Sequence, residues 1–155
     1  MDFSKFDERT KADRGEWVDM LDPETLEPLM DEGKPAQMLI LGQAGNRVQD
    51  ALHDRAVAGA GKTKEDVVSM KKTHQELVAT ASIYIGGFRN VEINGEDMSD
   101  ASNAERVLDL TFPRMEIIDG SAASVGGPRF AMANKPFAVQ AIEAGGRQGA
   151  LLKKG

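Results

Sequence analysis

Apolar side chains recur at short spacing over the first third of the chain and at helical spacing through most of the remainder. Glu16-Trp17-Val18-Asp19-Met20-Leu21 reads as a strand, broken by turn chemistry at Asp22-Pro23-Glu24-Thr25. Leu26 to Met30 is a candidate second strand, and Asp31-Glu32-Gly33-Lys34-Pro35 is the next turn. Ala36 to Leu41, closed by Gly42, is the clearest strand in the chain. Three short strands joined by tight turns predict an antiparallel meander over about residues 16–42, with one apolar face to be covered. Ahead of it, residues 1–15 are polar apart from Phe3 and Phe6, and read as an arm that frays or docks on a partner.

From Asn46 the spacing turns helical. Val48, Leu52 and Ala56 repeat every four residues, with Asn46 placed to cap the helix and Gly59-Ala60-Gly61 to end it. Thr63, with Asp66 three residues on, opens a longer helix. Val67, Met70, His74, Leu77, Val78, Ala81 and Ile85 trace one face of it, and Gly86-Gly87 stops it. Asn94-Gly95, set between apolar residues, signals a tight turn. Ser99 is the expected cap of a short helix carrying Ala104, Val107, Leu108 and Leu110, ended by Pro113. Residues 119–129 read as a small-residue loop, Lys135 to Ala144 as a last helix, and 145–155 as a flexible tail. The expected fold class is therefore α+β. A small N-terminal antiparallel β-meander is backed by about four α-helices, in a single domain over 16–144 whose helical part begins near 46.

Composition narrows the core and the partners. Aromatic residues make up only 5% of the chain, so the core must be mostly aliphatic, and methionine is expected to add adaptable surface. A formal net charge of −6 repels a phosphate backbone, which argues against bulk nucleic-acid binding. Cysteine is absent, so disulfide and thiolate chemistry are excluded, as suits a reducing cytoplasm. The charged N-terminus lacks the apolar stretch of a secretory signal, and no run approaches the roughly 18 apolar residues of a membrane span. A protein made and used inside a cell is the expectation.

The chemistry-bearing motifs mostly dissolve on inspection. Ala56 to Thr63 (AVAGAGKT) approximates a phosphate-binding loop, but Ala56 stands where the first glycine belongs and an amphipathic helix precedes it in place of a buried strand. The bland alternative is a glycine-rich connector between helices. His53 and His74 lie far apart and outside any metal-ligand spacing, which favours structural roles. The acidic pairs Asp31-Glu32, Glu65-Asp66 and Glu96-Asp97 fall in turns or a helix's first turn, where carboxylates are locally stabilising. No serine sits in a nucleophile elbow. No catalytic residue, cofactor site or metal ligand is nominated.

Taken as a set, the landmarks resemble the tail assembly chaperones of long-tailed bacteriophages and prophages. The likeness rests on the opening Met1-Asp2-Phe3-Ser4-Lys5-Phe6-Asp7, the Asp22-Pro23 turn, Glu27-Pro28-Leu29, the Asp31 to Pro35 turn and the strand Met38 to Leu41. It continues through Gly86-Gly87-Phe88-Arg89-Asn90-Val91 and the Ser-capped segment from Ser99 to Phe112-Pro113, covering roughly residues 1–115. Residues 120–128 and the closing GGRQGALLKKG depart from the pattern. The resemblance implies a non-catalytic factor of the host cytoplasm, needing no cofactor, that coats the tape-measure protein, helps recruit tail-tube subunits, and leaves before the particle matures. The competing expectation is a structural virion protein fixed to neighbours in the head or tail; a degenerate nucleotide binder is a third. A homo-oligomer is compatible with any of them. The nominated partner-binding residues are Phe3, Phe6, Trp17, Met70, Phe88 and Phe137. Phe3 and Phe6, three apart, either share one face of a helical turn and anchor in a partner's groove, or fold back onto the chain's own sheet near Trp17.

Overall fold

The structure, a computed structural model, describes residues 1–59, 70–119 and 129–152. The fold is α+β. The chain opens with a single 3-10 turn at Phe3–Phe6 and a helix α1 (Glu8–Arg14), then enters strand β1 (Glu16–Asp19). Two short strands, β2 (Met30–Asp31) and β3 (Lys34–Pro35), precede β4 (Gln37–Ile40). Helices α2 (Asn46–Gly59) and α3 (Met70–Ser82) lead to β5 (Ile85–Arg89). The hairpin β6 (Glu92–Ile93) and β7 (Glu96–Asp97) follows, then α4 (Ala104–Leu108), a second hairpin β8 (Met115–Asp119) and β9 (Arg129–Met132), and the closing helix α5 (Phe137–Leu152).

The main sheet is antiparallel, but it is not the expected meander. Its order is β1-β4-β5, so the third strand comes from residues 85–89, expected to finish a helix. Leu26 to Met30 is not a strand of that sheet. It bridges Leu21 through Pro28, Leu29 N–H donates to Met20 C=O and Leu29 C=O accepts from Ala36 N–H, and Met30 begins β2, which pairs locally with β3. The physical reason lies in two glycines taken for a helix stop. A Cβ on Gly86 would sit 2.9 Å from Leu39 Cδ2, so glycine lets β5 lie flat against the Leu39 side chain. The α3 helix has already ended at Ser82, and Ile85 and Phe88 enter the sheet as buried strand residues.

Register places Val18, Met38 and Phe88 in one cross-strand row on the inner face, with Ile40 and Ile85 beside it. Helices α3, α4 and α5 cover that face through Val78, Ala81, Val107, Leu108, Ala138 and Ala141. The core is mostly aliphatic, with Phe88 and Phe137 in this cluster and Tyr84 in a second one beside Leu41 and Val48. Methionine divides between the two environments: Met20, Met38 and Met98 are sealed in the core, contrary to the surface role expected of the type, while Met30, Met115 and Met132 are exposed. Each buried thioether removes apolar area worth about 1.5–3 kcal/mol from water.

Local chemistry explains several boundaries. Asn94 and Gly95 both have positive φ (53° and 79°), the conformation a two-residue hairpin turn requires, so the β6–β7 turn forms as expected. Helix α2 is held at its start by Asp13 of the arm, whose Oδ1 accepts from Arg47 N–H at 3.1 Å; Asn46 is the first helical residue rather than the cap. Ser99 is likewise not a cap. Asp100 accepts from Ser102 N–H and opens a 3-10 turn (Ala101–Asn103) that runs into α4, and α4 stops at Leu108, well before Pro113. The expected helix start at Thr63 lies outside the described residues, as do 120–128 of the expected 119–129 loop. The ends of that loop, Asp119 and Arg129, are paired strand residues.

Both chain ends differ from expectation. The second half of the arm docks on the domain: Ala12 is buried and its C=O accepts from Gly42 N–H at 2.9 Å. The stretch expected to be a flexible tail from 145 continues α5 as far as Leu152, with Gly145 packed against Tyr84. One side chain ties α5 to the sheet end. Gln140, 5% exposed, donates to Leu21 C=O and to Lys135 C=O, and its Oε1 accepts from Leu21 N–H.

Candidate partner-binding surfaces

The six nominated partner residues separate by burial. Phe88 (2% exposed) and Phe137 (9%) lie in the core and present nothing to a partner in this conformation; the nomination is corrected by their packing. Met70 opens the described part of α3, and its side chain lies outside the described residues. Trp17 is half-buried, while Phe3 and Phe6 are exposed. The nominated residues therefore form no single contiguous site.

Phe3 and Phe6 are the most exposed aromatic residues of the described chain, at 66% and 61%. The 3-10 turn puts them on one face, with ring centroids 5.6 Å apart and planes tilted by 41°. Neither ring is buried against the sheet. Two aspartates frame the turn. Asp2 accepts from Ser4 N–H at 2.9 Å, and Asp7 accepts from Thr10 N–H at 3.0 Å and from the Thr10 hydroxyl at 2.6 Å. The backbone donor at Ser4 holds the Asp2 carboxyl below its ordinary range, and the Thr10 hydroxyl, followed by the Thr10 amide, does the same for Asp7. Beside Phe6 an open cleft of about 650 Å³ runs to the start of α2, bounded by Asp7, Ala44, Asn46 and Gln49.

The outer face of the sheet carries a second feature. Arg89 of β5 lays its guanidinium 3.8 Å from the centre of the Trp17 ring, across β4. Leu39 sits between them, beside the bare backbone of Gly86 and Gly87. Trp and Arg together are the side-chain types that dominate binding hot spots. Sequence alone singled out Trp17; Arg89 was invisible because the pairing spans 72 residues and depends on an unforeseen strand.

A third surface surrounds His74. As expected, this histidine faces the core, at 4% exposed. Its Nε2 lies 2.9 Å from Asp109 Oδ1, its ring packs on Phe112 at 4.6 Å, and Nδ1 has no hydrogen-bond partner among the described residues. Next to it, a groove of about 460 Å³ runs between α3 and α4, floored by Val78 and Ala79 and flanked by Glu105 and Asp109. Leu110, Phe112, Met115 and Met132 are exposed nearby in sequence or pairing, with Met115 and Met132 directly opposite on the β8–β9 hairpin. No periodicity in the sequence had marked that hairpin.

His53 is exposed on α2, and among the described residues no cluster of His, Cys, Asp or Glu is placed to hold a metal ion. Of the acidic pairs, Asp31-Glu32 and Glu96-Asp97 are exposed, while Glu65-Asp66 lies outside the described residues. The loop-like motif begins inside a helix, since Ala56 to Gly59 belong to α2; Gly61-Lys62-Thr63 lies outside the described residues. No helix among the described residues is long and apolar enough to cross a membrane. Comparison with protein-family models, with curated proteins and with solved structures finds no match to this chain.

Proposed function

We propose that this chain is a non-catalytic assembly factor that works by binding other proteins, in the manner of the phage tail assembly chaperones its sequence resembles. In that role it coats the tape-measure protein in the host cytoplasm and helps recruit tail-tube subunits. The observation that carries the binding reading is the N-terminal arm. Two aromatic rings are held on one face of a capped turn, largely exposed and outside the core. Exposing such rings is unfavourable unless a partner covers them, and aromatic anchors of this kind commonly dominate an interface. The net charge of −6 fits the same reading.

A structural virion protein is the second reading. The exposed apolar residues of the β8–β9 hairpin and the segment before it favour it, because a permanently assembled neighbour would cover them. Mass spectrometry of purified particles separates the two. Absence from mature particles, together with co-purification of the tape-measure protein from infected cells, is the expected result. Stoichiometric presence in the particle would overturn the chaperone role and promote the structural one.

A further inference from the structure

The open edge of the main sheet has unused hydrogen-bonding capacity, and its position can be worked out residue by residue. In an antiparallel ladder the N–H and C=O of one residue point to the same side, and the side alternates along the strand. Met20 N–H donates toward the β4 side, to Ala36 C=O at 2.8 Å. Leu21 faces the other way, and Gln140 meets both of its groups, each at 2.9 Å, as a neighbouring strand would. The same alternation turns Trp17 and Asp19 to the Leu21 side, where, among the described residues, no strand pairs with β1. At the opposite edge of the sheet, Phe88 N–H donates to Ser99 C=O at 3.0 Å.

Burial independently marks the same edge as incomplete. In the inner row, Met38 is 0% exposed and Phe88 2%, but Val18 at the β1 end is only half-buried. The row lacks a residue beyond Val18. Charge says what should fill the place. Glu16 and Asp19 are the only ionisable residues of β1, both acidic, and the chain carries a net charge of −6, which disfavours a second copy of itself on this edge.

From this geometry we infer that β1 is a strand-addition site for an extended segment of another protein. The segment alternates: apolar residues face the helices and continue the Val18 row, and a lysine or arginine lies beside Asp19 on the outer face. Main-chain bonds to Trp17 and Asp19 supply affinity, and the alternation supplies selectivity. The inference does not rest on the phage reading.

A synthetic peptide alternating valine and lysine is the probe, titrated into the full-length chain while amide hydrogen exchange is followed by NMR. The expected result is new protection of the Trp17 and Asp19 amides, with the Val18 amide, already turned toward β4, unchanged. Methylating alternate peptide nitrogens should weaken binding about tenfold or more, the effect of losing two main-chain hydrogen bonds. Asp19→Lys should also weaken it and remove its salt sensitivity. No binding at millimolar peptide overturns the inference. Binding without protection of those two amides, or equal binding of the methylated peptide, overturns it too, by showing attraction through charge alone. The same protection arising from protein concentration without peptide would assign the edge to a second copy and overturn the proposed occupant.

Discussion

Two adjacent glycines of α5 should respond to alanine with opposite signs. Gly145 is buried and Gly146 exposed, both within the helix from Phe137 to Leu152. In a helix interior, alanine is favoured over glycine by about 1 kcal/mol. At Gly146 a new Cβ meets nothing within 4 Å, so Gly146→Ala should stabilise the protein by about that amount. At Gly145 the new Cβ would lie 2.5 Å from Tyr84 Cδ1 and 2.9 Å from Cε1. Ordinary carbon contacts sit near ~3.5–4.0 Å, so the ring or the helix must move by about 1 Å. Tyr84 is 6% exposed and packed with Leu41 and Val48, so the ring has little room to yield. Overpacking of this kind costs about 1–3 kcal/mol, which cancels or outweighs the propensity gain. Gly145→Ala should therefore be neutral to destabilising by about 2 kcal/mol, while its neighbour stabilises. Urea melts of the two variants, with equal slopes, measure the difference directly. Equal stabilisation by both would show that the helix continues without packing on Tyr84 at Gly145, and no effect from either would show that residues 145–152 behave as the flexible tail expected of them.

Other outcomes rest on the same contacts. Ile40→Asp buries a carboxylate at a position that is 0% exposed, at a cost of several kcal/mol that rivals the whole stability of a domain, so the cooperative thermal melt should disappear. Gln140→Ala leaves the Leu21 N–H and C=O without their partner and should lower stability by about 1–3 kcal/mol, with faster exchange at the Leu21 amide. Replacing Phe3 and Phe6 together by alanine should leave the melt within about 0.5 kcal/mol of the parent. Under the proposed role, the same double variant should weaken capture of the tape-measure protein by about 2 kcal/mol per ring in a pull-down titration; an unchanged titration would make the arm passive. The Asp7 carboxyl titrates below the ordinary 3.8 because its ionised form is bonded in the fold. Its contribution is thus present above that value and lost as pH falls through the lower, folded one. Protection of the Thr10 amide, taken relative to its intrinsic exchange rate at each pH, should fall in that acid window, and Asp7→Asn should remove that change.

What was legible in the chain was what local chemistry decides. The strand Gln37–Ile40 announces itself because Met38 and Ile40 alternate inward between two turns, and the Asn94-Gly95 hairpin because its backbone needs positive φ. The core face of α3 was readable from Val78 and Ala81 at helical spacing. Two of the departures, at β5 and at the end of α5, share one cause. Gly86-Gly87 matches a helix stop locally, yet the pair belongs to a strand because Leu39, more than 40 residues earlier, needs bare backbone beside it. Gly145-Gly146 likewise reads as an end of structure, and only the Tyr84 ring explains why a glycine suits a continuing helix. Glycine carries two messages, conformational freedom and absence of bulk, and the sequence transmits them identically.

The binding surfaces divide along the same line. Phe3 and Phe6 could be found because an aromatic in a charged segment is anomalous where it stands, whatever the fold. Phe88 and Phe137 were indistinguishable from them by type, and only the sheet and α5 reveal that they fill the core. The edge of β1 could not be found at all from residue types, since its chemistry is main-chain N–H and C=O, which every residue carries. It becomes visible through Gln140, whose side chain closes the ladder at Leu21 from 119 residues away and stops there. An edge capped at one residue and open at the next two is consistent with Glu16 and Asp19 acting as guards against indiscriminate pairing, while leaving room for one strand of the right charge. Neutralising both, as Glu16→Gln with Asp19→Asn, should then raise self-association measured by sedimentation, with no loss of thermal stability beyond that of the Asp19–Gln37 hydrogen bond. A variant that stays as monodisperse as the parent would show that those carboxylates do not protect the edge.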